Sequence, residues 1–160
     1  MAEYVPMKVP AVAWAFALSC LGGQLLSVAH YGRDESNQLE LSMLLGAVVI
    51  GWFAYGVLRA RKVRVVLVWI VYVLASLGQV IGFMAEPSGW GLVELVVALA
   101  QFTLFVRFTR TDYYRWQGAR PATVGPSLAG LVAVAMLVGA LGGVVGAQDD
   151  GFHARFGAQT

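Results

Sequence analysis

Charge is scarce in this sequence, and cysteine is scarcer still. Only 12% of its 160 residues are Asp, Glu, Lys or Arg, where a soluble domain carries roughly 25%. A water-facing surface cannot be built from so few. The cations that exist sit beside apolar runs, which excludes a basic nucleic-acid-binding face. One cysteine, Cys20, rules out an intrachain disulfide and a thiolate metal cluster. Inside an apolar run it reads as a small apolar residue. Lysine is missing from the apolar runs, which excludes a rhodopsin-type Schiff base. The chain also lacks a phosphate loop, a nucleophile with a nearby base, paired catalytic carboxylates and an Asp/Glu/His metal spacing. His30 closes the first apolar run and His153 lies in the tail, so no interior histidine is offered to a haem. No enzymatic activity and no cofactor are expected.

What remains is apolar: 59% of the residues, with a mean hydropathy of +0.71. The apolar residues fall into runs at about 11–29, 40–58, 65–84, 91–108 and 125–147. Each run is about 18–23 residues, enough for a helix to cross roughly 30 Å of hydrocarbon. The pattern predicts an all-α fold: a polytopic membrane helical bundle of five transmembrane helices, with residues 1–160 as a single integral-membrane domain. The first run could pass for a signal peptide, with Ser27-Val28-Ala29 as the cleavage site. Only Lys8 supplies positive charge ahead of the long apolar run, so the segment is read as a retained helix.

The few charges carry a direction. Arg59, Arg61, Lys62 and Arg64 follow the second run without an acid between them. Arg107, Arg110, Arg115 and Arg120 follow the fourth, against Asp112 alone. With Lys8, these are nine of the eleven cations, and five crossings put them all on one side. The opposite loops hold Arg33, Asp34, Glu35 and Glu86, and the tail holds Asp149, Asp150 and Arg155. Short cytoplasmic loops accumulate Lys and Arg. The expected site is therefore the cell membrane (plasma or inner), with a cytoplasmic amino terminus and an external carboxyl terminus. Trp90 at one rim and Tyr113, Tyr114 and Trp116 at the other fit interfacial belts. Segment 109–123, which mixes those aromatics with arginines, suits a short interfacial helix.

The fifth run is rich in glycine. Gly139 with Gly143, and Gly142 with Gly146, have the spacing that lets helices approach closely. They can serve a homo-oligomer or other membrane subunits, or packing against this chain's own helices; the lipid bilayer is the other partner. A faint echo links Ser19-Cys20-Leu21-Gly22-Gly23-Gln24 with Ser76-Leu77-Gly78-Gln79. It suggests that spans 1–2 and 3–4 are copies of one hairpin.

Polar residues within spans are costly and default to functional hypotheses. Glu94 is the one acid well inside a run, and Gln101 follows it by seven residues on the same face. With Gln24 and Gln79 they could line a polar cavity, or simply bond helix to helix. The stretch from Gln24 to Arg59 resembles the three-helix unit of SWEET and PQ-loop transporters. The likeness rests on Gln24 and on Trp52-Phe53-Ala54-Tyr55-Gly56 late in the second run. Gly23 and Val68 depart from the family's proline and asparagine. The resemblance implies a role for Trp52 in a solute pocket. The candidate substrate-binding residues are thus Trp52, Tyr55, Gln79, Glu94 and Gln101; ordinary aromatic packing is the alternative for Trp52 and Tyr55. The functional expectation is a transport-related small-solute carrier acting as a dimer or with a partner. The alternative is a non-catalytic accessory subunit of a larger membrane protein complex.

Overall fold

A computed structural model describes residues 7–31, 39–121 and 125–146. Within them the chain forms six helices and no strand. These are α1 (Ala11–Tyr31), α2 (Leu39–Leu58), α3 (Lys62–Ala85), α4 (Gly89–Thr109), α5 (Asp112–Gly118) and α6 (Ala129–Gly146). Four of them, α1 to α4, are long and apolar enough to cross a membrane. The fifth crossing helix, α6, was expected over 125–147 but has only 18 residues. That gives about 27 Å of helix, just short of an average hydrocarbon layer. Its start is delayed because Gly125 adopts φ +140° and Pro126 follows. The chain turns there before α6 begins at Ala129. The tail charges, His153 and the loop bearing Arg33, Asp34 and Glu35 lie outside the described residues.

The helices pack in the order α3, α4, α1, α6, α2, and α3 returns to α2 through their shared turn. The densest seam is α2 on α6. Glycine explains it. A Cβ on Gly46 would run into the Gly139 carbonyl, and one on Gly139 into the Gly46 carbonyl. One turn on, Gly143 meets the Ser42 backbone, and the Ser42 hydroxyl donates to the Gly143 carbonyl at 3.0 Å. The expected small-residue contact therefore exists within the chain, between α6 and α2. The suggested hairpin repeat is not reflected in the packing, since α3 packs on α4 whereas α1 and α2 barely touch.

The buried core lies at one end. Ala13, Leu58, Val65, Phe105, Phe108 and Leu131 meet there with Tyr113 of α5. These residues come from the start of α1, α3 and α6 and from the end of α2 and α4. Helix directions therefore alternate through the five long helices. The Tyr113 hydroxyl donates to the Leu58 carbonyl at 3.3 Å, and Arg59 Nη2 donates to the Pro126 carbonyl at 3.4 Å. Both arginine-bearing segments thus sit at one basic end. The α5 helix caps it, opening at Thr111, whose Oγ1 accepts from the Tyr114 amide. The sequence reading of an interfacial segment at 109–123 becomes a helix of seven residues.

The α2–α3 turn is a tight helix stop. Ala60 takes φ 51°, a left-handed value that glycine usually supplies. Its N–H donates to the Val57 carbonyl, and the Arg61 N–H to the Gly56 carbonyl. That paired pattern closes the last turn of α2 and sends α3 straight back.

Candidate functional site

Several polar groups of the spans, Cys20, Ser76, Glu94 and Gln101 among them, lie along the seam of α1, α3 and α4. Starting at the basic end, an aromatic block fills the seam. Phe105 lies 5.6 Å from Phe16 and stacks on Tyr72 at 5.5 Å. Trp69 meets Phe102 edge-on at 5.3 Å. Such arrangements favour the ring quadrupoles in addition to burying area.

Above the block, Cys20 Sγ and the Tyr72 hydroxyl share a hydrogen bond of 3.4 Å. The sequence reading of Cys20 as a plain apolar residue missed this link from α1 to α3. Ser76 lies one turn beyond Tyr72. Its Oγ is buried and has no hydrogen-bond partner among the described residues. Gln101 Nε2 donates to the Ser19 carbonyl at 3.1 Å. Gly23 makes room for that amide, since a Cβ there would stand 2.8 Å from Nε2. At the far end of the seam, Trp90 Nε1 donates to Glu94 Oε1 at 2.8 Å. The His30 ring stacks on Trp90 with centroids 3.9 Å apart and planes 11° from parallel.

The structure thus puts Glu94 and Gln101 on one seam, with both side chains engaged by this chain's own groups. Gln79 is half-buried on α3. Gln24 turns toward α6, where a Cβ on Gly142 would lie 3.6 Å from its Oε1. It stands apart from the Gln101 pairing, because α1 presents one face to α4 and another to α6. Gly146 closes α6.

Trp52 and Tyr55 lie elsewhere, on the outer face of α2, with Trp52 52% exposed. Each ring carries a guanidinium. Arg64 lies 3.7 Å from the Trp52 centroid and Arg59 lies 5.6 Å from that of Tyr55. Arg64 Nη1 also donates to the Trp52 carbonyl at 2.9 Å. Gly56 is the slot for this side chain, since a Cβ there would occupy the place of Arg64 Cδ. Trp52, Tyr55 and Gly56, three of the residues on which the family resemblance rests, are all in contact with arginines. Sequence counting used those arginines for topology alone. Their reach back along α2 has no periodic signal, although an arginine soon after a Trp-x-x-x-Gly helix end is a usable hint.

Among the described residues, no three His, Cys, Asp or Glu side chains lie close enough to share a metal ion. On α5, burial pushes the Tyr113 phenol above its ordinary range, outweighing Arg59, which pulls it down. Burial raises Tyr114 as well.

No protein-family model, curated protein or solved structure matches this chain.

Proposed function

We propose that this protein is a non-catalytic subunit that assembles with other integral membrane proteins or with a second copy of itself. The observation that carries the reading is how the polar side chains of the spans are used. Gln101 is bonded to the Ser19 carbonyl, Glu94 to Trp90 and Cys20 to Tyr72. Phe16, Trp69, Tyr72, Phe102 and Phe105 fill the space beside them. The Gln101 and Cys20 bonds tie helices together, the use that small and polar residues commonly serve in a bilayer; the Glu94 bond stays within α4 and steadies Trp90, whose ring stacks on His30 of α1. Gly139 and Gly143 are occupied by α2. Partner contact then falls to the outward faces of α2 and α3, where Leu44, Val48, Val71 and Leu74 are exposed. The basic end faces the cytoplasm of the plasma or inner membrane, following the Lys/Arg excess of its short loops.

Purification of the tagged protein from membranes in mild detergent tests this reading. A stoichiometric membrane partner or a stable dimer supports it. A monomer with no partner at any detergent concentration that preserves the fold counts against it.

One observation favours the carrier reading instead. The Ser76 hydroxyl is buried beside Tyr72 without a partner among the described residues, and a buried polar group is costly when unpaired. A solute hydroxyl or amide could pair with it, with Glu94 as the coupling group. In proteoliposomes, pH-dependent uptake that Glu94→Gln abolishes would establish this alternative; uptake unchanged by Glu94→Gln would remove Glu94 from it.

A further inference from the structure

The α2–α3 turn holds its cations in an unusual way. Long basic side chains near the end of a membrane helix ordinarily extend toward water. Arg64 does the reverse. From the first turn of α3 it reaches back along α2 to the Trp52 carbonyl, six residues or about 9 Å from the end of that helix. Three features of α2 hold it there. The Gly56 slot admits its aliphatic stem, the Trp52 ring lies under its guanidinium, and the Trp52 carbonyl takes Nη1. Trp52 is half-exposed on the outer face, so the charge lies on the membrane side of the protein.

Arg61 and Lys62 stand at the mouth of the same turn, with Lys62 exposed and Arg61 partly so. The turn itself carries no acid from Arg59 to Arg64. At the same end Asp112 is already paired with Arg115. Below the cations the flanking surface is apolar: Val63 and Leu67 of α3 are exposed. Three cations over an aromatic ring and an aliphatic wall match a phosphate joined to acyl chains.

We propose that the α2–α3 turn binds the headgroup of an anionic phospholipid. Arg61, Lys62 and Arg64 contact its phosphate, and its acyl chains run along Trp52, Val63 and Leu67. The lipid supplies the counter-charge that the turn does not contain. Arg64 is held at the depth of the headgroup phosphate and glycerol rather than in bulk water.

The test is native mass spectrometry of the full chain. It is released from nanodiscs holding equal amounts of phosphatidylglycerol and phosphatidylcholine with identical acyl chains. The expected result is preferential retention of phosphatidylglycerol. Removing a cation should weaken that preference about fivefold, so Arg61→Gln/Lys62→Gln should nearly abolish it. Arg107→Gln/Arg110→Gln removes the same charge from the same end and should leave the preference intact. Lys62→Gln alone is the second variant should the double variant not fold. Excess inorganic phosphate should not displace the lipid; displacement would identify a free-anion site and overturn the proposal. Equal retention of the two lipids by the wild type, or equal losses in the two double variants, would overturn it as well.

Discussion

The Arg64 guanidinium lies 3.7 Å above the centre of the Trp52 ring while its Nη1 donates to the Trp52 carbonyl. A single side chain from α3 thus grips both the backbone and the indole of α2. The turn between them is only a few residues long, and Ala60 closes it in a left-handed conformation. The hairpin is therefore fastened at its closed end. Elsewhere α2 relies chiefly on α6 and α3 chiefly on α4.

Gly56 is the position where this latch is most easily broken. Gly56→Ala places a methyl group where Arg64 Cδ now lies. The guanidinium must leave the ring, and a cation–π contact of about 1 kcal/mol goes with it. Gly78→Ala on α3 is the matched control, since nothing lies within 4 Å of its added Cβ. Unfolding in mixed micelles should show Gly56→Ala less stable than wild type and Gly78→Ala nearly unchanged. Equal effects would mean that Arg64 does not depend on the slot.

The α2–α6 seam makes a sharper contrast between neighbouring glycines. Gly139→Ala drives a methyl group into the Gly46 carbonyl, a backbone atom that cannot swing aside. Such overpacking costs about 1–3 kcal/mol. Gly142→Ala meets only the Gln24 side chain, at 3.6 Å, and should cost less than about 0.5 kcal/mol. The same unfolding assay ranks the two. A larger loss for Gly142→Ala would place the close contact on another face of α6.

Both the long apolar helices and the short α5 helix could be read from the sequence, because long apolar runs and aromatic–arginine mixtures are composition signals. The end of α1 at Tyr31 and the start of α4 at Gly89 fall within two residues of the expected bounds. The start of α6 was misplaced, since apolar residues after Pro126 look helical whether or not the chain has finished turning. Helix partners could not be read. Gly139 advertises a close approach, but nothing in a single sequence says that Gly46 answers it. The candidate site was legible in kind and not in arrangement. Glu94 and Gln101 do share a seam, as their seven-residue spacing requires. Gln24 leaves it for α6, and Trp52 is drawn to Arg64, because side-chain reach across a turn leaves no periodic trace.

Alkaline pH should loosen the α5 cap. The Tyr113 phenol is held above its ordinary value by burial, with Arg59 opposing more weakly. An unfolded tyrosine ionises near pH ~10. The folded state keeps its proton to a higher pH, so the stabilisation is full below that point. It is then lost as pH rises toward the folded value. Tyr113→Phe removes the ionisable group together with its bond to the Leu58 carbonyl. The variant should be less stable than wild type at pH ~8, and the gap should narrow above pH ~10. Melting curves across that range test this; a gap that stays constant or widens would contradict it.

The proposed function assumes five crossings with both arginine-bearing segments at one end, and that this end faces the cytoplasm. The most direct test uses a Cys20→Ala background with single cysteines at Lys62, Arg115 or Glu86, exposed in intact cells to a maleimide that cannot cross the membrane. Labelling of Glu86→Cys alone, with Lys62→Cys and Arg115→Cys reacting only after permeabilisation, is the predicted result. Labelling of either Lys62→Cys or Arg115→Cys from outside would contradict it.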